Sequence, residues 1–473
     1  MTTGPVAPRP MAGTQVTPPI VVVIGGGLAG LAAAVRLARH GVRPVVLEKR
    51  PFLGGRAFSF TDPETGAEID NGQHVFVGAC TEYQAFLKEI GAWDRVRLPA
   101  RLDALVVRNG TAFRLRGAER VPGSPANLSV VLGYGHLSLR DRLRALYGLA
   151  HVRYARHLPG GPLERETFSA WLRRHGQNEP TINRFWNLIV LPALNDDVSA
   201  VSADAGLMLF QIALFGDPQN AAIGYPAVGL TRLTGDPAQA AISKSGGEVR
   251  LGEDVKTLEM AAGSVAGART SGGEVIRADA FIVAVPAAPL LSLLPGSLRS
   301  QAFFAAATGM ETSPIVGVHI WYDRTVMTGN FVAALDSPVQ WVFNVSAMQG
   351  EQDQSGWQHV VISLSGAWQW RDMTKAGLRE TFVPEMARIF PAASQAQVMR
   401  FLTVKTLDAT FRSAPGADAH RLPQRTPVAN LFLAGDWTVT GWPSTMESAV
   451  RSGNLAAEAA AASLRSRAPA RTG

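Results

Sequence analysis

Three glycines and a carboxylate near the start of the chain have the spacing expected of a dinucleotide site. Gly25, Gly27 and Gly30 form the pattern G-x-G-x-x-G directly after the apolar run Ile20 to Ile24, and Glu48 follows eighteen residues after the last glycine. The first glycine permits a tight turn, the second lets a pyrophosphate approach the backbone, and the third lets a helix pack against a strand. The carboxylate is placed to accept hydrogen bonds from ribose hydroxyls.

The elements that position these residues can also be predicted. Ile20 to Ile24 is a continuous apolar run, typical of a parallel strand buried on both faces. Leu31 to His40 is alanine-rich with helical periodicity, and Pro44 to Leu47 is a second buried strand that leads to the carboxylate. We therefore predict a β-α-β unit in which Leu28 and Ala29, at the helix N-terminus, offer backbone N–H groups to phosphates. The alternative is a glycine turn in a unit of this kind that binds no nucleotide.

A second glycine pair distinguishes between the dinucleotides. Gly54, Gly55 and Arg56 come shortly after Glu48 and Lys49, and this arrangement resembles the extended signature of the amine-oxidase and phytoene-desaturase-like flavoproteins. The resemblance implies FAD as cofactor, with Arg56 along its phosphates, the glycine backbone passing it, and Glu48 and Lys49 in the same site. A solvated loop charge is the alternative interpretation of Arg56. The sequence has no second glycine fingerprint for a nicotinamide cofactor, so the electron donor is either an external reductase or directly bound NADPH.

The C-terminal part carries another match to this superfamily. Gly435 and Asp436 follow a buried apolar run, and the resemblance implies that Asp436 contacts the ribityl or phosphate region of FAD. It also implies that backbone N–H groups of Thr445 and Met446, at a predicted helix start, face the flavin N1–O2 edge, where they stabilise negative charge. Val255 matches the position whose backbone pairs with adenine. Without a cofactor, Gly435 and Asp436 are a turn after a buried strand.

Two further strings narrow the resemblance. Asp70 to His74 reads Asp-Asn-Gly-Gln-His, and Gly441 to Gly453 contains Trp-Pro-Ser-Thr-Met-Glu. Together they are similar to the bacterial hydroxysqualene dehydroxylases, also called squalene-associated FAD-dependent desaturases. The similarity extends over essentially the whole chain after the first nineteen residues. It implies that four residues lie beside the flavin: Gly72, Gln73, His74 and Trp442.

His74 and Gln73 are the candidates for catalysis. One interpretation of His74 is a proton donor to a leaving hydroxyl at the flavin face. The other is a histidine whose hydrogen bond to the backbone fixes the loop. We interpret Asp70 as a structural residue that caps the loop through its backbone amides. Glu447, at a predicted helix start, suits either dipole capping or catalysis.

The resemblance implies reductive dehydroxylation of hydroxysqualene to squalene, in a route to hopanoids or related triterpenoids. Our hypothesis is that an acid protonates the hydroxyl, water leaves to give a stabilised carbocation, and reduced flavin delivers hydride in a dry apolar tunnel. Candidates for the tunnel wall, or equally for plain core, are Phe185, Trp186, Phe210, Trp321, Trp341 and Trp370. The alternatives are a carotenoid-type desaturase or isomerase, and a flavoprotein scaffold for neighbouring terpenoid enzymes. An amine oxidase is less favoured, because no lysine or aromatic cage can be placed by motif.

Composition excludes several other classes. The chain has 473 residues, 47% of them hydrophobic and 18% charged, which indicates a folded protein with a large interior. The single cysteine, Cys80, excludes an internal disulfide and a zinc cluster of thiolates, and we interpret it as a buried thiol. The net charge is +7, but no basic block alternates with exposed aromatic residues. We therefore expect no nucleic-acid partner, and we predict no metal site.

We predict an α/β fold in which a Rossmann-like FAD-binding domain carries an inserted substrate domain of helices over a mixed sheet. The FAD-binding domain is expected at 20–100, 225–295 and 415–465, and the substrate domain at 101–224 and 296–414. Helical stretches are expected to dominate from about residue 100. Residues 1–19 are predicted to be a disordered leader, and 466–473 a flexible tail. The sequence has no run of about 20 apolar residues, so we expect no membrane-spanning helix.

One predicted helix combines an apolar stripe with many arginines. The stripe consists of Leu139, Leu143, Leu146, Tyr147, Ala150 and Tyr154, and around it lie Arg140, Arg142, Arg144, Arg153 and Arg156. Such a helix either lies on an anionic membrane surface or turns its stripe toward the core, and we favour the second interpretation. We expect a cytoplasmic protein, which is peripheral on the inner face of the cytoplasmic membrane if the first interpretation holds.

Overall fold

The computed structural model describes residues 17–64, 66–117, 129–158, 160–350 and 356–467. Most of the predicted leader and the predicted tail after Arg467 lie outside these residues. The strands are β1 (Ile20–Ile24), β2 (Arg43–Glu48), β3 (Ser59–Thr61), β4 (Glu68–Asp70), β5 (Phe76–Val77), β6 (Val96–Arg97), β7 (Asp103–Arg108), β8 (Thr111–Arg116), β9 (Ile223–Pro226), β10 (Glu248–Leu251), β11 (Val255–Ala261), β12 (Ser264–Thr270), β13 (Val275–Ile276), β14 (Ala280–Val283), β15 (Thr312–Tyr322), β16 (Phe331–Ala334), β17 (Trp341–Asn344), β18 (Gln358–Leu364), β19 (Val398–Phe411) and β20 (Leu431–Leu433). The helices are α1 (Leu28–Arg39), α2 (Thr81–Glu89), α3 (Ser129–Leu132), α4 (Leu139–Tyr154), α5 (Pro162–Arg165), α6 (Phe168–Arg174), α7 (Glu179–Thr181), α8 (Asn187–Leu194), α9 (Ala203–Phe215), α10 (Asp236–Lys244), α11 (Ala287–Leu293), α12 (Gly296–Arg299), α13 (Ala302–Ala305), α14 (Val345–Gln349), α15 (Lys375–Ile389) and α16 (Met446–Arg467).

A five-stranded parallel sheet, in the order β10-β2-β1-β14-β20, forms the first part of the fold. Helices α1, α2, α10 and α16 pack on one face of this sheet, while β11, β12, β13 and α11 pack on the other. Because both faces are covered, β1, β14 and β20 are continuous apolar runs, whereas the edge strand β10 reads Glu-Val-Arg-Leu. The arrangement confirms the predicted α/β fold.

The C-terminal helix reaches the glycine turn by packing closely on α1. A Cβ atom on Gly453 of α16 would lie 2.2 Å from the carbonyl oxygen of Ala29 and 2.9 Å from the amide nitrogen of Ala33. Only a glycine therefore lets the two helix backbones approach this closely. Helix α16 continues to Arg467, two residues beyond the predicted end of the FAD-binding part.

A seven-stranded sheet, in the order β19-β15-β18-β17-β16-β7-β8, forms the second part of the fold. Its pairs are antiparallel except for β16 and β7, which are parallel. Helix α15 packs on one face, and helices α4, α6, α8 and α9 form a core with the β7–β8 end of the sheet.

The expectation that helices dominate from about residue 100 was wrong for the hairpin of β7 and β8. These strands pair in register from Asp103 with Arg116 to Arg108 with Thr111, so that Asn109 and Gly110 form a two-residue loop. Both loop residues have positive φ, 47° and 75°. An Asn-Gly loop of this conformation matches the right-handed twist of a hairpin, and it is the signal that the pattern analysis missed.

Most of the apolar stripe of α4 faces outward, so the favoured core-facing interpretation was wrong for these residues, whereas Leu146 packs against the core. The exposed fractions of Leu139, Leu143, Tyr147 and Tyr154 are 70%, 58%, 57% and 76%. The buried side of α4 is instead formed by small and aliphatic residues, namely Ala145, Gly148, Leu149 and Val152. Among the described residues, no helix has both the length and the apolar character needed to cross a membrane.

Candidate functional site

The turn between β1 and α1 has the geometry of an anion-binding helix start. Gly25 has a φ of +107°, and a Cβ atom there would lie 2.6 Å from the carbonyl oxygen of Ala284. A Cβ atom on Gly30 would lie 1.9 Å from the carbonyl oxygen of Gly25. Helix α1 follows the N-cap Gly27 without a side-chain cap bond and without an acidic residue in its first turn. Its first N–H groups and positive dipole end therefore suit a phosphate.

The second glycine pair packs directly against the first glycine turn. The amide of Gly54 donates a 2.9 Å hydrogen bond to the carbonyl of Gly26, and Gly27 forms a parallel bridge with Gly54. Gly55 has a φ of +62°, and a Cβ atom on it would lie 2.8 Å from Gly27 Cα. The two predicted glycine motifs thus form one continuous surface of bare backbone. Side chains at these positions would occupy the space next to that surface.

Glu48 supports this surface at the end of β2. Its buried carboxylate accepts hydrogen bonds from the amides of Gly26, at 2.7 Å, and Arg50, at 2.9 Å. Each carboxylate oxygen retains a further lone pair for another donor, such as a ribose hydroxyl.

Two other predicted cofactor residues lie near this carboxylate. Lys49 is exposed directly after it. Val255 begins β11, and the segment before it is held because the amide of Glu253 donates a 2.9 Å hydrogen bond to the carbonyl of Glu48. The structure therefore brings the middle of the chain to the end of β2.

Arg56 and Asp436 form an ion pair, although 380 positions separate them. The same guanidinium donates a 3.1 Å hydrogen bond to the carbonyl of Ala409, and the buried carboxylate also accepts from the hydroxyl of Ser444. This geometry contradicts the interpretation of Arg56 as a solvated loop charge.

Arg421 holds the loop between β20 and α16, and the sequence analysis missed it because it lies in no motif. Its guanidinium donates 2.7 Å hydrogen bonds to the carbonyls of Thr438 and Trp442 and lies over the ring of Phe411. On the other side, the ring of Trp442 lies under the guanidinium of Arg451 at 4.8 Å. The nearly buried Arg421 and the half-buried Arg451 thus fix the loop that precedes α16.

The predicted flavin-facing positions Thr445 and Met446 lie where α16 begins. The hydroxyl of Thr445 accepts a 3.2 Å hydrogen bond from the amide of Ser448, and Met446 is the first helical residue. Gly435, at the end of β20, has a φ of +147°, and a Cβ atom on it would lie 2.5 Å from Nε1 of Trp437. These residues share the edge of the parallel sheet with the glycine turn.

Glu447 caps a neighbouring helix. Its fully buried carboxylate accepts hydrogen bonds from the amides of Glu82, at 3.1 Å, and Tyr83, at 2.8 Å, in the first turn of α2. Nε of Arg451 donates a third hydrogen bond at 2.7 Å. Burial raises the pKa of this carboxyl group. The capping interpretation concerned α16, the helix that Glu447 begins, but the carboxylate caps α2 instead, and these contacts favour a structural role over catalysis.

Asp70 caps a different segment from the one expected. Its carboxylate accepts hydrogen bonds from the hydroxyl of Ser59, at 2.7 Å, and the amide of Leu230, at 2.9 Å, and burial raises its pKa to about 6. The loop itself is held by Asn71, whose side chain accepts from the amide of Phe58. The prediction that Asp70 caps its own loop was therefore wrong.

His74 is hydrogen-bonded to its own loop. Nδ1–H donates a 2.8 Å hydrogen bond to the carbonyl of Gly72, which fixes the tautomer and leaves the Nε2 lone pair as an acceptor. Burial lowers the pKa of His74. A neutral ring in this tautomer has no second proton to donate, so the contacts favour loop fixation over acid catalysis.

Gln73 lies at a small cavity with two histidines that the sequence analysis missed. His319 of β15 and His359 of β18 line this cavity together with Gln73, Asp70 and Gln349. Nδ1 of His319 lies 3.1 Å from Nε2 of His359. The only signal in the sequence is a histidine inside an otherwise apolar strand.

The six candidates for a tunnel wall lie in different places. Phe185, Trp186 and Phe210 are fully buried in one aromatic cluster, and Trp370 packs on Phe382 against the α15 core. The first three are core residues, and Trp370 is half-buried against the α15 core. The other two lie on the sheet face opposite α15. There Trp321 stacks on His359, and Trp341 stacks on Phe343.

A parallel sheet whose glycine turn leads to an open helix N-terminus defines a dinucleotide-binding protein. The family described as flavin containing amine oxidoreductase matches residues 28–461. The chain therefore belongs to the flavin-containing amine oxidoreductase family, and it is an FAD-dependent oxidoreductase.

Individual relatives agree with this assignment. The chain is 26% identical to 15-cis-phytoene desaturase of Synechococcus elongatus, over 93% of this chain and 95% of that protein. It is also 26% identical to a probable zeta-carotene desaturase of the same organism, over 93% and 98%. Cyclohexylamine oxidase from Brevibacterium oxydans has a similar fold, with a TM-score of 0.68, 18% identity, and coverage of 95% and 100%. A redesigned putrescine oxidase gives a TM-score of 0.70 at 17% identity, with coverage of 94% and 99%.

Proposed function

We propose that the residues gathered at the edge of the parallel sheet hold FAD along its length. The N–H groups at the start of α1 hold the diphosphate, and Glu48 holds the adenosine ribose. The ion pair of Arg56 and Asp436 lies along the middle of the cofactor, and the start of α16 faces the flavin. The supporting observation is the backbone surface of Gly27 and Gly55, which side chains would fill. When bound and reduced, FAD supplies the hydride that a reduction needs.

We further propose that the reaction is the reductive removal of the hydroxyl group of hydroxysqualene, which gives squalene. The observation that carries the proposal is an aromatic and apolar sheet face, including Phe331, Trp341, Phe343 and Val361, which ends at the cavity beside Gln73. Such a face suits a long isoprenoid chain and excludes water from a reactive carbocation. The Asn-Gly-Gln-His string at this cavity favours the dehydroxylases within the family.

A carotenoid desaturase or isomerase is the second candidate function. The observation in its favour is the identity of the relatives, which are named as desaturases of phytoene and zeta-carotene. Such an enzyme would use the same apolar face and the same cofactor. It differs in that its substrate is a hydrocarbon and that FAD accepts electrons from it.

One anaerobic experiment separates these functions. The purified protein is reduced with dithionite and mixed with hydroxysqualene, while flavin absorbance and the formation of squalene are followed. We expect squalene and oxidised flavin in equal amounts. Turnover of phytoene by the oxidised protein, without squalene from hydroxysqualene, would instead establish the desaturase. Turnover of neither substrate by protein with full FAD content would leave the scaffold interpretation.

We propose that the outward face of α4 rests on an anionic lipid surface. Its exposed apolar side chains are Leu139, Leu143, Tyr147 and Tyr154, and the exposed arginines beside them are Arg140, Arg144, Arg153 and Arg156. Apolar side chains enter the boundary between headgroups and acyl chains, while the guanidinium groups attract the anionic headgroups. A substrate as apolar as squalene partitions into the same membrane, which supports a peripheral position there.

Flotation with phosphatidylglycerol vesicles tests this surface. We expect the protein to float with the vesicles, and Leu143→Ser together with Arg144→Glu to reduce the bound fraction several-fold. The matched control is Leu407→Ser on β19, because Leu407 has an exposed fraction of 54%, close to the 58% of Leu143. Equal losses in the two variants, or none in either, would contradict the proposal.

A further inference from the structure

Two histidines form a pair on the face of the seven-stranded sheet that borders the Gly72–His74 loop. His319 is 1% exposed, and its Nδ1 atom lies 3.1 Å from Nε2 of His359. The ring of Trp321 stacks on His359 at 4.0 Å and holds it in place. His319 lies directly opposite Val361, and Val361 opposite Phe343, so these residues share one face. The pair therefore lies at the end of the proposed isoprenoid surface.

The second ring nitrogen of His319 has no hydrogen-bond partner in the part of the chain that the structure describes. Nε2 is buried and makes no hydrogen bond to any described residue. Beside it, Gly317 leaves a gap, because a Cβ atom on that residue would lie 3.4 Å from Nε2. His319 also lines the small cavity with Gln73, of about 10 Å³, which is the size that one water or one hydroxyl oxygen needs. A buried ring nitrogen without a partner loses the hydrogen bond it makes in water, so a bound oxygen at this position is favourable.

The charge state of the two histidines determines which ligand groups can form a hydrogen bond with His319. Burial lowers the pKa of His319 to about 4 and that of His359 well below its usual value, so both rings are neutral at pH 7. In one tautomer Nε2 of His319 is a donor, and in the other it is an acceptor. A hydroxyl group satisfies either tautomer because it both donates and accepts. A hydrocarbon satisfies neither.

We propose that Nε2 of His319 binds the hydroxyl group of an isoprenoid alcohol and makes His319 a specificity-determining residue of this site. The inference rests on the proposed function, because it assumes that the apolar face holds an isoprenoid chain. His319 recognises and orients the oxygen, and His359 fixes the ring of His319 through the bond between the two rings. The pair thus distinguishes an alcohol from a hydrocarbon of the same length.

Ligand binding to the oxidised, FAD-loaded protein tests the inference without turnover. Hydroxysqualene and squalene are titrated separately in detergent, and the dissociation constants are taken from the change in flavin absorbance. We expect the wild type to prefer the alcohol. His319→Phe keeps a planar ring but removes both nitrogens, and it should lower the preference by about 10-fold or more while squalene binds as before.

A second variant changes the surroundings of Nε2 without replacing His319. Gly317→Ala places a methyl group against Nε2, and it should also reduce the preference for the alcohol. The matched control is Tyr322→Phe, which removes a buried hydroxyl that has no partner among the described residues, on the opposite face of the same strand. This control should leave the ratio of the two dissociation constants unchanged.

The outcomes separate this inference from the proposed function. If squalene is formed by the wild type but neither His319→Phe nor Gly317→Ala changes the preference, the inference is overturned and the function stands. If both variants remove the preference although hydroxysqualene is never converted, the function fails and the inference stands. A wild type without any preference for the alcohol also overturns the inference.

Discussion

Replacing Glu447 tests whether this buried acid is a helix cap or a catalyst. Its carboxylate accepts three hydrogen bonds, from the amides of Glu82 and Tyr83 and from Arg451. Glu447→Ala removes the partner of all three donors, of which the amide of Tyr83 is buried while the Arg451 side chain is 29% exposed. Losing one member of a buried, charged network costs about 3–5 kcal/mol. Burial removes the carboxylate from water and raises its pKa, so desolvation offsets part of the energy gained from these hydrogen bonds. We therefore expect about 3 kcal/mol for Ala and about half of that for Gln, which retains one acceptor oxygen.

Hydrogen exchange at the first amides of α2 measures this loss where it occurs. A local loss of about 3 kcal/mol should accelerate exchange at Glu82 and Tyr83 by about 100-fold. The matched control is Glu458→Ala in the same helix. Glu458 is exposed, and its ion pair with Arg36 is long, at 4.0 Å, so this pair contributes little to stability. Unchanged exchange in Glu447→Ala, together with loss of activity at full FAD content, would refute the capping role and favour catalysis.

Three further predictions follow from the same geometry. His74→Asn should retain most of the activity, because its amide donates to the loop as Nδ1–H does, whereas His74→Ala should lose loop order; equal single-turnover rates for both variants would contradict loop fixation. Gly453→Ala should destabilise the protein by about 1–3 kcal/mol or more in thermal unfolding, because its methyl group meets the backbone of α1, while Gly296→Ala, with no atom within 4 Å, should not. The free energy of unfolding should fall below pH 6.5, since the unfolded state protonates His319 and the folded state excludes that proton down to about pH 4. This contribution is about 1.4 kcal/mol per pH unit. Protonation of Asp70 stabilises the folded state between pH 6 and 3.8, so it has the opposite effect on the free energy of unfolding. The pH slope of this free energy is therefore best compared between the wild type and His319→Phe in urea titrations. Equal slopes in the two proteins would contradict the prediction.

The sequence alone determined the local geometry of the cofactor site. A glycine that must adopt positive φ, or must lie against another backbone, leaves a pattern over a few residues, and Gly25, Gly30 and Gly55 all have such constraints. Continuous apolar runs likewise predicted the buried strands β1 and β20, because a parallel sheet covered on both faces has no polar side. The glycine spacing and the apolar runs are visible over a few adjacent residues, so they can be read without the fold, although the backbone that Gly25 lies against belongs to Ala284.

The tertiary structure alone decided which distant side chains meet. The ion pair of Arg56 with Asp436 depends on how the chain returns to the same sheet edge. The pairing of His319 with His359 depends on the register of β15 and β18. The direction of the α4 stripe, too, was ambiguous in the sequence, because an apolar face looks the same whether a core or a membrane covers it. Strand order, register and helix orientation are set by the packing of the whole molecule, and no local pattern contains them.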